Sequence, residues 1–304
     1  MRIGIAYPQP FADKPDWLDT LVAFARRVEN LEFATLWLPH ILSWDAIAAA
    51  AVVGRETEEI ELATAVVPTY PRHPVAMAQQ AMTAASACNG RFTLGIGTSH
   101  RFIMEDIHGL SFAKPARHTE EYLNVLAPLL RGDAVDFKGD FYQVKADLVF
   151  PSKPLVPLIV AAMGPMMLER AGRLSDGTVT FATGIKTLGD YIVPTIRQAA
   201  AAAGREAPRI IASLVISLTN DIDGAKAKLR KRMRVYDSIP SYRAMLDREG
   251  AQGPADIALL GDEAALRAQL VRMRAAGVTD FNASPVETDA GSMERTLEFL
   301  ASEA

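Results

Sequence analysis

Two of the five histidines, His40 and His100, each follow a short apolar run that is cut off by proline or glycine. Imidazole titrates near neutrality, so a histidine presented at the end of a strand can move a proton or hold a metal. The stretch around His100, Gly90–Phe102, reads GRFTLGIGTSHRF, with an apolar climb broken at Gly95 and Gly97 and then Thr98, Ser99 and His100. Glycines here admit two readings, a bend in a crowded strand layer or a wall that side chains have vacated so that a flat ring can lie on backbone. The spacing Gly95-x-Gly97-x-x-His100 lacks the third glycine of a dinucleotide fingerprint. His40, His73, His100 and Asp45 are possible metal ligands, but no His-x-His pair or tight His/Glu cluster joins them, and no metal is expected. Ser99 adjoins His100 without the Gly-x-Ser-x-Gly elbow of an activated serine. The run Ala162-Met163-Gly164-Pro165-Met166 leads into a helix whose free amides would suit an anion; an ordinary strand-to-helix turn is the plainer reading. Arg72 and Arg101 are candidates for an anionic part of a ligand.

These residues need a scaffold that gathers strand ends. Eight strand-like runs alternate with helical stripes: Met1–Tyr7, Thr35–Leu38, Ile60–Val67, Arg91–Gly97, Val156–Ala162, Gly177–Phe181, Arg209–Leu218 and Thr279–Ala283. The helices between them include Ser43–Arg55, with Ser43 as its cap, Pro74–Cys88, Ala116–Arg131 and Pro165–Leu174. Strict alternation predicts parallel strands with right-handed crossovers, and eight such units close into a (β/α)8 TIM barrel of the α/β class. The surplus length is assigned to a hairpin near 135–144 and extra helices near 223–249. An open doubly wound sheet would want a glycine-rich turn after the first strand, and Tyr7-Pro-Gln-Pro-Phe11 has none. One domain over 1–304 is expected. In a barrel of this kind the chemistry sits at the carboxyl ends of the strands, where His40 and His100 fall.

Composition narrows the function classes. A formal net charge of −4 over 304 residues gives no reason to expect nucleic acid or an anionic membrane as partner. The single cysteine, Cys88, among small apolar neighbours, reads as a buried hydrophobe. No apolar run reaches membrane-span length and no signal-type block follows Arg2, so a cytoplasmic protein acting on a small molecule is the expectation.

Four stretches taken together carry a resemblance. They are Trp37-Leu-Pro-His40, Thr64-Ala-Val-Val-Pro-Thr-Tyr-Pro-Arg-His-Pro74, the Gly90–His100 run, and Ala161-Ala-Met-Gly-Pro165 with Ser175-Asp-Gly-Thr178. In this order they resemble the luciferase-like monooxygenase superfamily, in its branch that uses the deazaflavin coenzyme F420. The resemblance implies a (β/α)8 barrel and usually a homodimer. It implies a bulge after strand three with a non-prolyl cis peptide, mapped to Thr64–Ala65, against which the deazaflavin rests. Gly95, Gly97 and Thr98 would lie near the ring, Ala162, Met163, Gly164, Pro165 and Met166 around the coenzyme phosphate, and His40 beside the ring. It further implies hydride transfer between C5 of the coenzyme and a small organic substrate; because histidine titrates near neutrality, His100, or failing that His40, is the expected proton donor. Pro39 stands where several members carry an acid, and His100 where sugar-phosphate-oxidising members carry glutamate, so a sugar-phosphate substrate is not carried over. The alternatives are an FMN-dependent monooxygenase of the same superfamily and a non-catalytic coenzyme-binding barrel.

Overall fold

A computed structural model of the chain describes residues 1–8, 15–151 and 154–304; the turn residues Pro10 and Phe11 lie outside them. Eight parallel strands close on themselves: β1 (Arg2–Ala6), β2 (Thr35–Leu38), β3 (Glu61–Thr64), β4 (Phe92–Gly97), β5 (Leu158–Ala161), β6 (Gly177–Phe181), β7 (Arg209–Leu218) and β8 (Asp280–Pro285). Each pairs in parallel with the next, and β8 pairs with β1. The expected (β/α)8 barrel is the one found. Strands enclosed on both faces must be apolar throughout, which is why β2 and β4 read as runs without alternation.

The helices that matter for the site are α1 (Trp17–Asn30), α2 (Ala46–Arg55), α3 (Pro74–Ala87), α4 (Pro115–Leu130), α5 (Pro165–Leu174), α6 (Val193–Ala202), α7 (Ile222–Met233) and α8 (Pro240–Glu249). The hairpin Val135–Lys138 with Gln143–Ala146 forms its own antiparallel sheet. Three local readings change. The cap of α2 is Asp45, not Ser43: its carboxylate accepts from the amides of Ile47 and Ala48, each at 2.9 Å. The third strand does not run unbroken to Val67. Ala63 registers with Thr93 and Val67 with Ile96, so four steps on one strand face three on the other, and one extra residue bulges out. A three-residue strand, Leu259–Gly261, pairs with the far end of β7; so short a run shows no periodicity in sequence.

The barrel interior is layered. Trp37, Ala63, Ile159, Val179 and Ile211 form one apolar layer. Below it, at the amino ends of the strands, Arg209 pairs with Glu61 at 2.9 Å and Asp280 at 2.6 Å, and Arg2 reaches Glu61 at 2.5 Å. Burial opposes ionisation of Glu61, but hydrogen bonds and charge from Arg209, then Arg2 and Thr93, outweigh it and hold its carboxyl down to about 2.

Outside the barrel, His118 of α4 is buried and stacked on Tyr70, ring centroids 3.8 Å apart, with Nε2 3.2 Å from Thr69 Oγ1. Burial pushes its pKa from 6.5 to about 4 despite the opposing charge of Glu121. The unfolded chain therefore takes up this proton first as pH falls. The stability tied to neutral His118 is complete above pH 6.5 and is lost on the way down to pH 4, about 3 kcal/mol in all. Urea unfolding at a series of pH values is expected to show this slope in the parent chain and a flatter curve between pH 6.5 and 4 in His118→Phe.

Candidate active site

The carboxyl ends of the strands open into a cavity of about 600 Å³. Its walls come from the strand-end loops and from the helical segment 222–249 that follows β7.

One wall is nearly bare backbone. The bulge after β3 places Ala65 and Val66 on the cavity, and the peptide between them is cis. The expected position, Thr64–Ala65, is thus corrected by one residue. Thr64 itself is fully buried behind the wall; its hydroxyl donates to the Gly95 carbonyl at 2.8 Å and accepts the Gly95 amide at 2.9 Å, stitching β3 to β4 where the ladder breaks. The two glycines of β4 separate accordingly. A Cβ on Gly95 would run into the Thr64 carbonyl, so Gly95 answers to strand packing and does not line the cavity. A Cβ on Gly97 would lie 2.8 Å from Val66 Cγ2 and 3.1 Å from Ala161 Cβ, both on the cavity wall. Gly97 and Thr98 do line it.

An anion-binding corner adjoins this wall. Ala162, Met163 and Gly164 line the cavity, and Gly164 caps α5 with Pro165 in the first turn. The amides of Met166 and Met167 lie in that first turn, ahead of the first intrahelical donor, Leu168, and so have no intrahelical acceptor. Neither the Pro165 nor the Met166 side chain lines the cavity, and Pro165 has no N–H, so of these two only the Met166 amide can serve an anion there, whereas the Met167 side chain lines the cavity. A Cβ on Gly164 would meet nothing within 4 Å. A second helix start nearby, at Gly184, is already neutralised: Glu249 of α8 accepts from the Thr187 amide and hydroxyl, each at 2.7 Å. Of these two starts, the one at Gly164 keeps its positive end for a ligand.

His40 and His100 both reach the cavity but are held differently. The Ala46 amide, at the start of α2, donates to His40 Nδ1 at 3.2 Å. That bond requires the tautomer with hydrogen on Nε2. Burial is the main cause that lowers the His40 pKa, with Arg72 next and Asp45 opposing, so the ring is held neutral. His100 follows Ser99, whose φ is 61°. It lies parallel to Phe102, centroids 5.9 Å apart, and meets Tyr242 edge-on at 5.6 Å. Burial lowers its pKa too. Among the described residues no hydrogen bond anchors the His100 ring; its carbonyl accepts from the Met104 amide at 3.0 Å.

The opposite wall is aromatic. Phe181 at the end of β6 and Tyr236 and Tyr242 from the 222–249 segment meet edge-on, with centroids 5.1 to 5.9 Å apart. None of these rings is among the site residues expected from the sequence, and neither are Trp37, Val66, Met167, Ser213 and Asn282, which also line the cavity. Applying the strand-end rule to strands seven and eight would have found Asn282; nothing in the spacing of Tyr236 and Tyr242 marks them. Arg72 is paired with Asp45, and Arg101 with Glu105 at 2.6 Å, so neither is free for an anion. Among the described residues, Arg232 is the cationic side chain that lines the cavity. Among the described residues no three His, Cys, Asp or Glu side chains are grouped to hold a metal.

Residues 1–299 match the family described as luciferase-like monooxygenase. The chain belongs to that family. Its similarity to individual luciferase-like proteins is partial. It is 29% identical over 223 residues to the F420-dependent glucose-6-phosphate dehydrogenase of Amycolatopsis mediterranei, covering 68% of this chain and 67% of that one. It is 32% identical over 192 residues to the enzyme of that name from Nocardia farcinica, covering 61% and 56%. To the 5,10-methylenetetrahydromethanopterin reductase of Methanolobus tindarius it is 29% identical over 207 residues, covering 67% and 63%. The chain thus spans between about half and two thirds of the length of these relatives. The coenzyme F420-dependent tetrahydromethanopterin reductase of Methanopyrus kandleri superposes with a TM-score of 0.81 over 100% of this chain and 98% of that one, at 21% identity, which places the two in one fold.

Proposed function

We propose that this luciferase-like protein is an F420-dependent oxidoreductase that moves a hydride between C5 of the deazaflavin and a small organic substrate. The observation that carries the reading is the convergence of the Ala65–Val66 bulge, Gly97 and Gly164 on one cavity. A flat ring finds backbone and small side chains on one side, and a phosphate finds the free amides of α5 at its end. The F420-dependent names of the Amycolatopsis and Nocardia relatives support the same coenzyme. The reading takes residues 1–304 as one catalytic domain, in a cytoplasmic homodimer.

Bound here, the coenzyme would donate a hydride from C5 in its reduced form or accept one in its oxidised form; the chain's own residues do the rest. The bulge and Gly97 support one face of the ring. Phe181, Tyr236 and Tyr242 close the other side and exclude water, which favours hydride over proton chemistry. His40 presents Nε2–H to the substrate oxygen. Protonating His40 would put a second N–H against the Ala46 amide, so it acts as a neutral hydrogen-bond donor rather than a titrating acid. His100, whose ring has no hydrogen-bond anchor, also lines the cavity and is the candidate to carry the proton that accompanies the hydride.

Fluorescence titration of the purified protein with F420 and with FMN tests the coenzyme. Tighter binding of F420, followed by its slow reaction with oxygen after reduction, is the expected result; preference for FMN and rapid oxygen consumption would establish the flavin alternative. Gly164→Leu is expected to weaken F420 binding at least tenfold with the melting temperature unchanged. Its backbone angles, φ −79° and ψ 158°, suit any residue, and the added side chain meets only the space offered to the phosphate. Unchanged affinity would remove the phosphate site from this corner.

A further inference from the structure

At the floor of the cavity two buried polar atoms have no partner, Trp37 Nε1 and Asn282 Oδ1. Their side chains are 1% and 4% exposed, and both residues line the cavity. They come from the strands on either side of β1. Gly4 of β1 registers with Asn282 on one side, and Ala6 with Trp37 on the other. A Cβ on Gly4 would lie 2.7 Å from Trp37 Nε1, so the indole N–H lies over the space that Gly4 leaves empty, in the row that continues to Asn282. The Asn282 amide is oriented by Ser213, whose hydroxyl accepts from Nδ2 at 2.9 Å. That bond leaves Oδ1 as the open acceptor.

Around the indole the barrel is apolar: Ala63, Ile159, Val179 and Ile211 pack with Trp37. A buried indole N–H and a buried amide oxygen are costly to leave unpaired, and native interiors pair such groups or hold a ligand or water against them. A donor and an acceptor carried on the two strands that flank β1 are complementary to a group that carries a carbonyl next to an N–H. Resting on the coenzyme reading above, we propose that Trp37 and Asn282 are the recognition site for the imide edge of the deazaflavin. Trp37 Nε1–H donates to a ring carbonyl, and Asn282 Oδ1 accepts from the ring N–H. The pair then decides which end of the ring enters the barrel first. A phenyl or other hydrocarbon edge offers neither group and is rejected at the floor.

The test is a set of binding titrations with F420 and with an F420 derivative methylated at the imide nitrogen, in the parent protein and in Trp37→Phe and Asn282→Leu. In the parent protein, F420 is expected to bind at least tenfold more tightly than the methylated derivative. Each variant is expected to bind F420 about tenfold more weakly. Asn282→Leu is expected to lose the discrimination against the methyl group, a readout that a merely structural defect would not move. If Trp37→Phe does not fold, the methylated ligand and Asn282→Leu carry the test alone. Equal binding of the two ligands by the parent, or parent-like affinity in a folded variant, overturns the proposal and leaves the pair to an ordered water. Failure of the parent protein to bind F420 at all would instead sink the coenzyme assignment.

Discussion

Turnover of F420-dependent reduction is expected to fall about 100-fold in His40→Ala, with the coenzyme dissociation constant changing far less. The magnitude is that of removing one preorganised hydrogen-bond donor from a developing oxyanion, about 3 kcal/mol of transition-state stabilisation. What makes His40 such a donor is its anchor. The Ala46 amide occupies Nδ1, and α2 is itself held by the Asp45 cap and the Asp45–Arg72 pair. The imidazole is therefore fixed in orientation and tautomer before substrate arrives. Two further readouts separate this role from a titrating acid. Turnover in the parent should show no break at the ordinary histidine value of 6.5, because burial and then Arg72 hold the His40 pKa below it. His40→Gln, which keeps a donor of similar reach, should recover part of the loss. A full loss in His100→Ala together with parent-like turnover in His40→Ala would exchange the two roles.

The second large effect is on stability. Arg209→Met is expected to destabilise the barrel by about 3–5 kcal/mol, measured by urea unfolding near neutral pH. Arg209 sits between Glu61 and Asp280 at the closed end of the barrel, and those carboxyls are only 15% and 5% exposed. Removing the guanidinium leaves two buried like charges facing one another, partly relieved by Arg2. The defect should have a definite pH dependence. In the parent, Glu61 ionises near 2 when folded and near 4.5 when unfolded, so the stability it contributes is complete above pH 4.5 and lost as pH falls toward 2. Without Arg209 the Glu61 pKa should rise, and the variant should gain stability relative to the parent as pH drops through this window. A constant difference between parent and variant from pH 7 to pH 3 would show that the plug works by packing rather than by charge. Because this cluster lies at the end of the strands away from the cavity, coenzyme affinity in the folded variant should match the parent.

Several features were legible without coordinates because local chemistry decides them. The alternation of apolar strands with amphipathic helices set the barrel and its eight strands, and β2, β6, β7 and α5 begin and end where the residue pattern places them. The strand-end rule then gathered His40, Gly97, Thr98, His100 and Gly164 at one mouth, where the structure has them. Tertiary contacts decided the rest. Gly95 and Gly97 are two residues apart and look alike in sequence, yet one faces the Thr64 carbonyl and the other the cavity; only the bulge opposite them tells them apart. His40 and His100 look equally able to move a proton, but the Ala46 amide lies against one and aromatic rings against the other. Trp37 and Asn282, 245 positions apart in the chain, flank β1 only because the barrel closes. Periodicity and turn chemistry are short-range properties that a linear sequence carries. Which buried polar atom lacks a partner depends on strands distant in the chain, and that is known only once they are packed together.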